Sequence, residues 1–141
     1  MFVRDGFLDC YSGARLIFPG TLRALSVLRP FEFPFHPNWK FGECHPAYWD
    51  LSPTMDHVIP IAAGGADDEA NVVTTSMKLK GAKSTRPFAE LGWRRERGTV
   101  HPDLEGLLSW FLWAWQAHDE LRAHASLRDW HRAAAEYAVD A

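Results

Sequence analysis

Cysteine, net charge and long apolar runs are all in short supply. The chain has two cysteines in 141 residues, Cys10 and Cys44, thirty-four positions apart. Neither belongs to a C-x-x-C pair, which excludes a zinc knuckle of that spacing. A zinc site from Cys10, Cys44, His36 and His45 has suitable ligand types but irregular spacing, so structural zinc is not expected. Nothing points to an oxidising compartment, and two buried thiols are the default expectation. The formal net charge of −3 argues against a generally basic nucleic-acid coat. The longest apolar stretch, Leu107 to Trp115, is nine residues and contains Ser109, too short for a membrane span. The opening residues, MFVRDGFLDCYSG, lack a long apolar core and carry acids. No targeting segment is expected there, and the chain is read as soluble and cytoplasmic.

What is present is apolar bulk: 47% hydrophobic and 13% aromatic residues. That suffices for one domain spanning residues 1–141 with a real core. The charge is also uneven. Residues 78–97 carry a local +5 from Lys78, Lys80, Lys83, Arg86, Arg94, Arg95 and Arg97 against Glu90 and Glu96. Such a patch is either a solvated helix face or an electrostatic footprint for phosphates.

The chain is organised around residues 54–84, TMDHVIPIAAGGADDEANVVTTSMKLKGAKS. Asp56 and His57 precede the strand formers Val58 and Ile59, and Pro60 ends the ladder. Gly64-Gly65 predicts a loop, and Asn71 to Thr75 a second short strand. Ser76 is placed to cap a helix over Met77 to Lys83. The order is strand, loop, strand, helix.

This stretch resembles the HNH nucleases, whose core is a ββα-metal unit. The resemblance rests on Asp56-His57, Pro60, Gly64-Gly65, Asn71 fourteen residues past His57, and Lys83 near the helix end. The words Val73 to Met77, Ala82 to Ser84 and Glu90 to Trp93 look like those of a bacterial or phage subgroup. The motif covers about a quarter of the chain. It implies an α+β fold: a small ββα-metal core, an aromatic-rich N-terminal covering and a helical C-terminal half, with an extension over 103–139. It also implies metal-dependent hydrolysis of phosphodiester bonds in DNA.

The residue types suit that chemistry. A neutral imidazole accepts a proton from water near pH 7. A divalent cation held by a carboxylate offsets charge on the phosphate. By resemblance His57 is the general base, Asp56 the metal ligand, and Asn71 the residue that orients the His57 ring. The ion would be Mg²⁺, with Mn²⁺ or Ni²⁺ as substitutes. Adjacent strand residues point to opposite faces, so Asp56 and His57 reach one phosphate only if the strand twists or ends there. Lys78, Lys80, Lys83 and Arg86 would contact phosphates. Nothing in the sequence reads a 2′-hydroxyl, so RNA stays open beside DNA. Asp67, Asp68 and Glu69 are expected to be a solvated loop face.

One position departs from the pattern. Many members of that family carry a His or Asn three residues before the helix Lys, as a second metal ligand. Here that position is Lys80, and a protonated lysine has no lone pair. Either Asp56 holds the ion with waters and substrate oxygens, or another side chain takes over, or the site is impaired. The last option makes the chain a nucleic-acid-binding module without turnover.

The flanks are read more coarsely. A hairpin is expected around Gly13, with Arg15 to Phe18 as a strand broken by Pro19-Gly20. Thr21 is expected to cap a helix from Leu22 to Arg29. Residues 30–53, rich in proline and aromatics, form a covering for the ββα core. Pro87 to Leu91 fits a short helix ended by Gly92. Asp103 would cap a long helix over 104–123 with the stripe Leu104, Leu107, Leu108, Phe111, Ala114, Trp115, His118 and Leu121. Trp110, Leu112 and Trp113 widen it, which suits core packing or a homodimer contact through the Trp-rich helix. Ser126 with Asp129 starts a last helix.

Overall fold

The computed structural model describes residues 1–86, 88–93 and 105–140. The chain first reverses at Gly13, whose φ of 72° lies in the left-handed region. The expected hairpin is reduced to a single bridge, Leu8 to Arg15. Asp9 N–H donates to the Ala14 carbonyl and Leu16 N–H to the Phe7 carbonyl across it, while Cys10 N–H donates to Thr74 and Ile17 N–H to Leu51. Helix α1 (Pro19–Leu28) begins earlier than expected, with Pro19 in its first turn rather than breaking the chain. Proline loses nothing there because the first N–H groups have no intrahelical partner. Thr21 is therefore inside the helix, and its hydroxyl donates to the Leu107 carbonyl.

The aromatic segment folds on itself and on α1. Leu22, Cys44, Ala47 and Tyr48 form a small core, with Phe33, Phe35, Trp39 and Trp49 packed around it. Tyr48 hydrogen-bonds Ser26 and donates to the Leu22 carbonyl, so its polar end is satisfied. Phe31 and Phe41 stay outside, at 94% and 93% exposed. Helix α2 (Ala47–Asp50) closes this segment.

Strands β1 (Pro53–His57) and β2 (Val72–Ser76) then pair antiparallel, with Pro53 opposite Ser76 and His57 opposite Val72. Helix α3 (Met77–Lys83) follows at once, and the Ser76 hydroxyl accepts from Leu79 N–H as its cap. Asp9, 1% exposed, joins this corner to the N-terminal turn. It accepts from the N–H groups of Tyr11, Ser12 and Ser76 and from the Thr75 hydroxyl. The fold is α+β.

Helix α4 (Leu108–Ala117) is shorter than the predicted 104–123. Asp103 and Leu104 lie outside the described residues. The chain turns at His118, passes through a 3₁₀ turn at Asp119–Ala123, and continues as α5 (Ala125–Asp140). Ser126 thus sits inside α5 rather than capping it. Leu108, Phe111, Ala114, Leu121 and Leu127 are buried together with Phe7, Leu16 and Phe18 in the main core. Leu107 and Trp113 point out, at 51% and 58% exposed. Among the described residues no helix is long and apolar enough to cross a membrane.

Candidate functional site

His57 is the last residue of β1, where the strand leaves the sheet. Its ring is half-buried, and Nε2 lies 2.9 Å from Asp67 Oδ1. A carboxylate only accepts, so this pairing assigns the proton to Nε2 and leaves Nδ1 as the basic nitrogen. Asp67 itself is 80% exposed. The loop face expected to be solvated thus supplies the group that orients the ring.

Asn71 differs from the role the resemblance implies. Its Oδ1 accepts from Ile59 N–H at 2.9 Å, and its Nδ2 donates to the carbonyls of Ile59 at 2.9 Å and Ala66 at 2.7 Å. It clamps the backbone that follows His57, while Asp67 hydrogen-bonds the ring. The Gly-Gly pair fits this clamp. Gly64 has φ of 87°, and a Cβ on Gly65 would lie 1.9 Å from the Ile59 carbonyl oxygen. A side chain at Gly65 would displace the loop from Asn71.

Asp56 points the other way, into the protein, as strand alternation requires. It is 6% exposed. Its Oδ2 accepts from the Tyr11 hydroxyl at 2.6 Å and from Lys83 Nζ at 2.9 Å. Lys83 also donates to the His57 carbonyl at 2.7 Å. Burial, and then the hydrogen bond to Asp56, push the Tyr11 phenol far above its usual range. Tyr11 lies in the Cys10-to-Gly13 turn, and no local signal ties it to residue 56.

Lys83 requires a correction. The expectation is a phosphate contact, but Lys83 is 1% exposed and its ammonium is enclosed by Asp56 and the His57 carbonyl. The other three basic residues are exposed. Lys78 pairs with Asp50 at 3.4 Å, Arg86 donates to the Ala82 carbonyl, and Lys80 lies on the exposed side of α3. Arg94, Arg95 and Arg97 lie outside the described residues.

Among the described residues no three His, Cys, Asp or Glu side chains converge as a ready metal site. Asp56 is buried and its Oδ2 is already paired with the Lys83 ammonium, so a divalent ion at that oxygen would have to compete with a fixed positive charge. Cys10 and Cys44 lie in separate apolar clusters. His45 stacks on Phe33, and His36 approaches Glu43 at 3.8 Å. No protein-family model, curated protein or solved structure matches this chain.

Proposed function

We propose that this chain is an endonuclease that hydrolyses phosphodiester bonds in DNA, acting in the cytoplasm. The supporting observation is the His57 ring at the exposed end of β1, oriented by Asp67 and followed by a loop that Asn71 clamps. His57 takes the proton of the attacking water at Nδ1, and the imidazolium formed is stabilised by the Asp67 carboxylate. Asn71 keeps the His57 backbone in register with β2. Lys78, Lys80 and Arg86 steer and hold the phosphate backbone without reading sequence. Asp56 would hold the divalent ion, Mg²⁺ or in its place Mn²⁺ or Ni²⁺, which supplies charge stabilisation on the phosphate and leaving oxygen. One such site nicks one strand; a cut through both needs a second nick or a second copy, and Trp113 on α4 is an exposed apolar contact for that copy.

A second reading is favoured by one observation: Asp56 is engaged by Lys83, and Lys80 stands where a further donor would help. On that reading the chain binds DNA without turnover.

A supercoiled-plasmid nicking assay decides between them. The unmodified chain, His57→Ala and Lys80→Asn are each assayed with Mg²⁺, Mn²⁺, Ni²⁺ or chelator. Metal-dependent nicking that His57→Ala abolishes supports the enzyme. Cutting by Lys80→Asn alone supports the binding module. No cutting and no DNA binding by any of them refutes both readings.

A further inference from the structure

A pocket of about 370 Å³ opens between α1, the aromatic segment, the start of β1 and the first turn of α5. Phe35, Trp39, Tyr48 and Trp130 give it a largely aromatic wall. Phe35 and Trp39 approach Tyr48 at 5.3 and 5.4 Å between ring centroids, so part of that wall is already assembled. One charged side chain lines the pocket, Arg23, with its guanidinium carbon 3.9 Å from the Phe35 ring centroid. Arg23 is half-buried and makes no ion pair with a carboxylate among the described residues. A guanidinium stacked by its face still presents its N–H edge. With no acid there, that edge suits an oxygen carried in by a ligand.

The position of the pocket narrows the ligand. Its lining includes Met55 of β1 and Met77, the first residue of α3. Met55 and His57 are two positions apart on one strand, so they share a face, about 7 Å apart along it. Lys78 follows Met77 and is exposed. A strand whose phosphates pass His57 and Lys78 would carry its bases past the mouth of this pocket.

We infer that the pocket takes one unstacked base of a single-stranded or locally opened DNA strand, beside the phosphate that meets His57. This rests on the reading of His57 as the hydrolytic site. The base stacks on the aromatic wall, which tolerates any base because each has a π-face. Arg23 donates to an oxygen of the base or of its phosphate. In an intact duplex the base is paired and stacked, and seating it costs the energy of opening the pair. The chain therefore prefers single or frayed strands to closed duplex.

The three methionines give a direct test. Met55 and Met77 line this pocket, and Met1 lines a different one. With ¹³C-labelled methyl groups and chelator present, a short oligothymidylate should shift the Met55 and Met77 signals of the unmodified chain and leave that of Met1 in place. An abasic strand of the same length, and inorganic phosphate, should shift none of them. By fluorescence anisotropy the oligothymidylate should bind roughly tenfold or more tighter than the abasic strand. Ser126→Trp narrows the mouth from an exposed position and should bring the two strands level without weakening the abasic one. Arg23→Gln should reduce the gap. Equal affinity for the two strands, equal methyl shifts with both, or a preference that Ser126→Trp leaves intact overturns the inference. Plasmid nicking by a chain without that preference refutes the pocket and leaves the hydrolytic reading standing. Base-dependent binding without nicking keeps the pocket and assigns it to a binding module. No binding of either strand overturns both.

Discussion

At the buried pair between β1 and α3, single and paired substitutions should differ in size. Lys83→Met strands the Asp56 charge in the protein and should lower unfolding free energy by about 3–5 kcal/mol. Changing both, Asp56→Leu with Lys83→Met, should recover most of that loss, since a well-packed apolar pair is often no worse than a buried ion pair. Urea denaturation of the single and double variants measures both; a double variant as unstable as Lys83→Met would show that shape, not charge, is at stake. Asp67 makes the opposite case. It is 80% exposed, so Asp67→Asn should leave stability unchanged within about 0.5 kcal/mol. Its effect belongs to turnover: if His57 is the base, nicking should fall severalfold, with DNA affinity intact. His57 and Asp56 stand out in the sequence through the resemblance of their stretch, and their opposite facing follows from strand alternation. Tyr11 does not stand out, because its partner lies forty-five positions away and only tertiary packing joins them.

Among the elements, β1, β2 and α3 are readable from local chemistry. Ser76 is a good cap whichever core it faces, but β1 runs from Pro53 to His57, so the strand formers Val58 and Ile59 lie beyond its end and Pro60 does not set it. The α4–α5 region is not. Its apolar spacing continues through the break, so periodicity identifies the buried Phe111, Ala114 and Leu121 but not the turn at His118 between them. That turn lets α5 return and stack His131 on Trp115, with ring centroids 4.4 Å apart. Burial first, and then the nearby Arg122 charge, lower the His131 pKa. The folded state thus prefers the neutral ring. The stabilisation is fully present above the unfolded value of about 6.5 and fades as pH falls through the folded value. Thermal unfolding should therefore show an acid-side decline below about pH 6.5 that His131→Phe reduces. An unchanged pH dependence in that variant would assign the decline to other groups.

For the molecule as a whole, charge placement matters more than charge total. The net charge is −3, yet Lys78, Lys80 and Arg86 lie exposed on or just after the helix that follows β2. A protein of this sign binds DNA only through a local patch, and the energy of that association comes from counterions released at each neutralised phosphate. Salt dependence therefore counts the phosphates engaged. Replacing Lys78, Lys80 and Arg86 by Gln should reduce the slope of log K against log salt by about 0.9 for each phosphate no longer neutralised, or roughly 2–3 in all. The weakening should be the same for unrelated sequences, since the proposed contacts are to phosphates and not to base edges. Lys83→Met is the internal control. Its ammonium is buried against Asp56, so wherever the variant folds the slope should stay unchanged. Fluorescence anisotropy between about 50 and 200 mM salt measures all of this. A slope that drops for Lys83→Met but not for the triple variant would reverse the assignment. The phosphates would then meet the β1 and α3 ends directly, and the surface patch would be a solvated face.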